Sequence, residues 1–197
     1  MEAVRTAAFF GCVLAANFLA IVFQERLPPI PNLFGATVFI FPVLLAYGAL
    51  ALPFALTLAL AFFNGLLWDA LTVQFLKPDE AFVLDAPAVP ELAVGWSVVL
   101  FGVLAILVHG LRPLFLKGRW ELHCIASGFC ASVILFAEYL MITFKRHGLV
   151  FPHDLWGRIL VPGFFAMVMA IPVYFLFRLL AAALGYTVRV YPTKARL

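Results

Sequence analysis

Charged residues are scarce in this chain. Only 12% of its 197 residues are Asp, Glu, Lys or Arg, whereas 65% are hydrophobic and the mean hydropathy is +1.10. A soluble domain of this size does not need so much apolar surface, so the composition indicates a polytopic helical membrane protein. Within the apolar runs, polar and apolar residues do not alternate one by one, which disfavours a transmembrane β-barrel. The net charge of +3 then reports on loop placement and does not indicate a nucleic-acid partner.

Cysteines and catalytic motifs are also few. Cys12, Cys124 and Cys130 all lie inside apolar runs. Their odd number argues against a disulfide framework, and they have no metal-ligand spacing. No G-x-S-x-G, H-E-x-x-H or P-loop spacing occurs. We therefore expect neither a metal nor another cofactor, and no enzyme activity. An enzyme whose residues meet only in the fold remains an alternative.

Six apolar runs have the length of a membrane span. Residues 33–74 form a block about twice that length, and Pro53 divides it because proline removes a backbone donor and clashes with the preceding turn. We expect Pro42 to kink the first half of this block. A long acidic, proline-rich outer loop, residues 75–93, follows the third run. The sequence thus predicts a single all-α membrane domain over residues 1–197, with spans near 7–23, 33–52, 54–73, 94–111, 122–144 and 159–184.

An alternative interpretation of the first run is a signal peptide. We disfavour a signal peptide because Gln24-Glu25-Arg26 follows the run directly, without a small-residue cleavage site. Lys and Arg set the orientation of the six spans. Eight of the 13 basic residues fall on one set of faces, so that set is assigned to the cytoplasm, with both termini inside. These eight are Arg5, Arg112, Lys117, Arg119, Arg178, Arg189, Lys194 and Arg196.

Two carboxylates lie within the predicted spans. Asp69 and Glu138 are each roughly 6–9 Å below the outer end of their spans at 1.5 Å per residue, so they can occupy one layer. An ionisable group at such depth is costly and is usually paired, solvated or functional. Near Asp69, Asn64 and Trp68 recur at helical spacing, and Gly65 lies one turn before the aspartate. These five residues are candidates for a cavity or a partner-docking site. The alternative is that neighbouring side chains satisfy both carboxylates, which then only hold the helices in register.

Other polar and small residues have simpler interpretations. Gly128 and Ser132 form a small-residue pair that lets another helix approach closely. Asn17 is expected to make an interhelical hydrogen bond. His109 and His123 are expected to make hydrogen bonds at the membrane interface, because two histidines without a third ligand are weak evidence for a metal.

Three stretches together resemble a known family. Pro42-Val43-Leu44-Leu45-Ala46-Tyr47, followed by Pro53 and then Gly65-Leu66-Leu67-Trp68-Asp69, resembles the second and third spans of the rod shape-determining protein MreD. Phe136-Ala137-Glu138-Tyr139-Leu140 is similar to that family's penultimate span, and Ile171-Pro172-Val173-Tyr174-Phe175 to its last. The order and spacing of these motifs, together with the two carboxylates, carry the resemblance.

The resemblance implies a fold, a location and partners. It implies a six-span protein of the bacterial inner membrane, similar in fold to the substrate-binding S-components of energy-coupling-factor transporters. The implied function is that of a non-enzymatic scaffold of the cell-elongation complex that binds MreC, maintains rod shape and regulates peptidoglycan synthesis. The other implied partners are MreB, RodA and a class B penicillin-binding transpeptidase. Gly65, Asp69 and Glu138 match the family's motif positions.

One feature of the sequence departs from the family pattern, and one alternative function remains. Many family members follow the aspartate with a short turn, whereas here the long loop 75–93 follows. The alternative function is that of an S-component-like binder or transporter of a small molecule, a vitamin or a lipid precursor, with Asp69 and Glu138 lining its pocket. The small-residue faces favour the scaffold, because a partner's transmembrane helix could pack on them.

Overall fold

The fold is entirely helical in the part of the chain that the structure describes. This structure is a computed structural model, and it describes residues 2–26, 38–74, 95–115, 120–145, 151 and 153–187. No strand occurs among these residues. The helices are α1 (Glu2–Arg26), α2 (Phe41–Ala51), α3 (Phe54–Gln74), α4 (Trp96–Gly110), α5 (Trp120–Lys145) and α6 (Leu155–Ala183), with a short 3-10 helix at Arg112–Phe115.

The second helix is shorter than the sequence predicts. Helix α2 begins at Phe41, residues 38–40 are not helical, and residues 33–37 lie outside the described residues. Pro42 lies in the first turn of α2, so the expected kink at this residue is wrong. The first turn tolerates proline because its N–H groups have no partner within the helix in any case.

Helix α2 is the core of the bundle. It packs against all five other helices, and ten of its eleven residues are buried. Such a helix has no polar face, because every side of it contacts another apolar helix. The site described below lies at the N-terminal end of α2.

The C-terminal end of α2 is held by side chains from distant parts of the chain. Leu52 is extended because Pro53 follows it, and α3 begins at the next residue. The last carbonyls of a helix have no partner within it. Here His109 Nδ1 donates to the Ala49 carbonyl at 2.9 Å, Tyr186 Oη to that of Ala51 at 2.8 Å, and an Arg112 guanidinium nitrogen to that of Leu52 at 3.3 Å.

Two helix pairs pack closely through glycines. A methyl group at Gly65 of α3 would lie 2.6 Å from the Val98 backbone nitrogen of α4. A methyl group at Gly128 of α5 would lie 2.9 Å from the Gly163 carbonyl oxygen of α6, and Gly163 in turn faces Ser132. The close approach expected at Gly128 and Ser132 is therefore confirmed, but the approaching helix belongs to the same chain. These faces are not free to receive a partner helix.

The outer surface of the bundle is rich in large apolar side chains. On α6 they recur at helical spacing along one face, and α1, α3, α4 and α5 carry similar residues. Exposed apolar surface on this scale is unfavourable in water. Helices α1, α5 and α6 are each long and apolar enough to cross a membrane by length and composition, whereas α2 and α4 are shorter apolar helices. The exposed residues of the α6 face include Leu160, Phe164, Val168, Ile171, Phe175 and Leu179.

Candidate functional site: the carboxylate layer

Asp69 connects the end of α3 to the start of α4. Its side chain is 5% exposed, and its Oδ2 accepts a hydrogen bond from the Gly95 N–H at 2.5 Å. Gly95 precedes the first residue of α4 and has φ +99°, a conformation that glycine adopts without a Cβ penalty. A carboxylate at a helix N-terminus also interacts favourably with the helix dipole. The hydrogen bond from Gly95 therefore gives Asp69 a structural role, because it joins α3 to α4.

Glu138 is bound by the residue next to Asp69. Trp68 Nε1 donates a hydrogen bond to Glu138 Oε1, which joins α3 to α5 across 70 positions of sequence. The negative charge of Asp69 also acts on Glu138. We call Trp68, Asp69, Gly95 and Glu138 the carboxylate layer. The sequence-based expectation that both carboxylates can share one layer agrees with this arrangement.

Aromatic rings from the start of α2 contact the carboxylate layer. The Phe39 ring centroid lies 4.6 Å from that of Trp68, and the Phe41 ring meets Trp68 edge-on at 6.0 Å. Both phenylalanines are buried. They hold the indole in place from the α2 side while its N–H points to Glu138.

Asn64 lies one helical turn before Trp68 on the same face of α3. Its side chain is fully buried, and neither its Oδ1 nor its Nδ2 has a hydrogen-bond partner among the described residues. Buried amides are nearly always hydrogen-bonded, so an orphaned one needs an explanation. Trp68 and its acceptor Glu138 are only partly buried. A fully buried amide thus lies one turn along α3 from a partly exposed rim, which Trp68 and Glu138 form.

The five residues that the sequence singles out have different roles. Trp68, Asp69 and Glu138 come together directly, and Asn64 lies a turn below them. Gly65 contributes no polar group, and its function is to let α3 approach α4. Chemically, the arrangement offers a carboxylate with an oxygen not bound by Trp68, an unpaired amide and an aromatic wall.

Comparison of the chain with protein-family models, with curated proteins and with solved structures gives no match. The function is therefore inferred from the chain's own residues.

The other polar candidates lie away from this layer. His109 makes a hydrogen bond, as expected. His123 is 2% exposed, and neither ring nitrogen has a hydrogen-bond partner among the described residues, so the expected interfacial hydrogen bond is not observed there. Asn17 donates to the Val13 carbonyl of its own helix and not to another helix. The described residues contain no group of three or more His, Cys, Asp or Glu that could hold a metal ion.

Sequence reasoning missed three members of the site. Gly95 adjoins the loop 75–93, and its position in the chain gave no sign that its N–H would meet Asp69. The sequence pattern places Phe39 and Phe41 within a continuous apolar span. One signal was available for Phe41, because Pro42 is typical of the first turn of a helix and places its start beside Phe41.

Proposed function

We propose that the protein is a multi-pass protein of the bacterial inner membrane that acts as a non-enzymatic scaffold of the cell-elongation complex, in the manner of the MreD family that it resembles. The supporting observation is the meeting of the motif residues. Trp68 and Asp69 of the G-x-x-x-D stretch and Glu138 of the α5 stretch interact at one end of the bundle, although they are far apart in sequence.

The membrane arrangement in this proposal has six spans and both termini in the cytoplasm. Support comes from the apolar side chains that cover the outside of the helices and from the excess of Lys and Arg on one set of faces. An even number of spans returns the chain to the side on which it starts. The carboxylate layer then faces the periplasmic side of the membrane.

The scaffold works by presenting a preformed polar layer within an apolar surface. A partner's transmembrane helix that packs beside α3 and α5 would bury the exposed rim of Trp68 and Glu138. A hydrogen bond to a carboxylate within the membrane fixes register and orientation more than it adds affinity. An MreC-like protein is the direct partner in this proposal, with MreB, RodA and a class B penicillin-binding transpeptidase in the same complex.

Deletion in the host tests the scaffold. The expected result is loss of rod shape and delocalisation of the MreC-like protein, both restored by wild type from a plasmid. Rod shape and localisation that persist after deletion would contradict the proposal. A plasmid that carries Glu138→Ala is expected to restore neither property. Glu121→Ala is the matched control and is expected to restore both, because Glu121 is an exposed glutamate at the opposite end of α5.

A second candidate function, binding of a small molecule, is favoured by Asn64. The Asn64 amide is fully buried and has no hydrogen-bond partner among the described residues. Ligand sites use a small number of placed polar groups, amides included, to fix the orientation of the ligand. A panel of neutral, anionic and cationic compounds, vitamins and lipid-linked precursors included, tests this function by thermal shift of the purified protein. Absence of any stabilising compound would count against it.

A further inference from the structure

The Asn64 amide has hydrogen-bonding groups that a bound molecule can use. Both polar atoms of its amide are unpaired among the described residues, and its side chain has no exposed surface. An amide left this way costs free energy relative to an apolar side chain of the same shape. The cost is removed if a guest supplies a donor to Oδ1 and an acceptor to Nδ2.

A second acceptor lies beside Trp68, which is one turn after Asn64 on the same face of α3. Glu138 accepts from Trp68 with Oε1. No hydrogen bond to Oε2 occurs among the described residues, so Oε2 is left for a guest. No cationic side chain acts on Glu138 within the described ranges of the chain. Asp69 adds to the negative potential of the layer while its own Oδ2 is engaged by Gly95. Like-charge repulsion therefore disfavours an anionic guest, and a cation is favoured.

The aromatic side chains beside Glu138 place a third constraint on the chemistry of the guest. The Trp68 indole, packed against Phe39 and Phe41, presents aromatic surface next to the carboxylate. Aromatic faces attract an ammonium group, and tryptophan does so most strongly. A divalent metal fits less well, because the described residues lack a group of three acidic, His or Cys ligands.

We infer that Asn64, Trp68 and Glu138 form a binding site for a small primary ammonium compound that also carries a hydroxyl group. The ammonium lies between Asn64 Oδ1 and the Glu138 carboxylate, the hydroxyl oxygen accepts from Asn64 Nδ2, and the carbon chain lies against the aromatic rings. This inference rests on the second candidate function above and names the class of its ligand. No covalent step is involved.

The test uses ethanolamine, which is protonated at pH 7, and ethylene glycol, in which a neutral hydroxyl replaces the ammonium. Purified full-length protein is heated with each compound, and binding is measured in parallel by calorimetry. At about 100 times its Kd, ethanolamine is expected to raise the Tm of the wild type by about 5–10 °C. Ethylene glycol at the same concentration is expected to leave the Tm unchanged.

Three variants locate the site. Glu138→Gln keeps an acceptor for Trp68 but removes the charge, and Asn64→Leu removes the amide. Both are expected to abolish the ethanolamine shift. Asn17→Leu is the matched control, since Asn17 is another fully buried asparagine with an unpaired Oδ1 on a different helix, and it is expected to keep the shift. Glu138→Gln keeps the test valid if Asn64→Leu does not fold.

The outcomes separate this inference from the function on which it rests. An equal shift with ethylene glycol, or a shift that survives in Glu138→Gln, would overturn the ammonium assignment. If ethanolamine has no effect while a neutral or anionic compound of the panel stabilises the protein through Asn64, the ammonium assignment fails and small-molecule binding stands. If no compound binds, both fail.

Discussion

At the residue scale, Gly65 and Gly102 show how the surroundings of a glycine decide its importance. A methyl group at Gly65 would lie 2.6 Å from the Val98 nitrogen and 2.9 Å from the Ser97 carbonyl carbon, and backbone atoms cannot move aside as a flexible side chain can. A methyl group at Gly102 meets no atom within 4 Å. The first glycine sets the distance between α3 and α4, and the second does not.

Gly65→Ala is expected to lower the free energy of unfolding by about 1–3 kcal/mol, because α3 and α4 must move apart. Gly102→Ala is the control and is expected to raise it by up to about 1 kcal/mol, because alanine has the higher helix propensity. Thermal melts in detergent measure both. Equal stability of the two variants would show that α3 and α4 are not in close contact at Gly65.

Trp68→Phe tests the hydrogen bond within the carboxylate layer. A smaller aromatic ring is kept while the donor to Glu138 is lost. Loss of this hydrogen bond is expected to lower the free energy of unfolding by about 1.5–3 kcal/mol, the range for hydrogen bonds to charged groups, beyond the effect of the smaller ring. The control is Trp96→Phe, because the Trp96 Nε1 has no partner among the described residues. A loss in Trp96→Phe as large as that in Trp68→Phe would contradict the assigned role of the donor.

At the element scale, the end of α2 shows what the sequence could and could not predict. Pro53 predicts the break between two helices from local sterics alone, since its ring clashes with the preceding turn. The partners that hold this break, His109, Arg112 and Tyr186, come from other elements, and no local pattern indicates them. In the same way, a count of residues predicts that Asp69 and Glu138 share one layer. The hydrogen bond from Trp68 to Glu138 depends on how α3 and α5 rotate against each other, which no local pattern indicates.

Tyr186 provides the test at this scale. Tyr186→Phe keeps the stacking on Phe9, whose ring centroid lies 4.5 Å away, and loses the hydrogen bond to the Ala51 carbonyl. The free energy of unfolding is expected to fall by about 0.5–1.5 kcal/mol. Tyr186→Leu loses the stacking as well and is expected to cost about 0.5–1.5 kcal/mol more. Melts that do not follow this order would contradict the proposed attachment of α2.

At the scale of the whole molecule, the small-residue faces change the account of assembly. The sequence indicated helix contacts at Gly128 and Ser132 but could not tell an internal contact from an external one, because both need the same small side chains. In the structure α6 fills this face. What remains for a partner is the exposed apolar surface and the partly exposed rim of the carboxylate layer.

Membrane topology is testable with reporters that act on only one side. Green fluorescent protein fused after Leu197 is expected to fluoresce, because both termini are proposed to lie in the cytoplasm. Alkaline phosphatase inserted in the loop 75–93 is expected to be active, because this loop is proposed to lie outside. A dark C-terminal fusion that is abundant in the membrane would contradict the orientation.

Co-purification from membranes with the MreC-like protein tests the scaffold most directly. Wild type and the Glu121→Ala control are expected to retain the partner. Glu138→Ala is expected to lose most of it while still inserted and abundant, because the rim of the carboxylate layer is altered. If the wild type retains no partner under conditions in which the bundle stays folded, or if Glu138→Ala retains as much as Glu121→Ala, the carboxylate layer is not the assembly site.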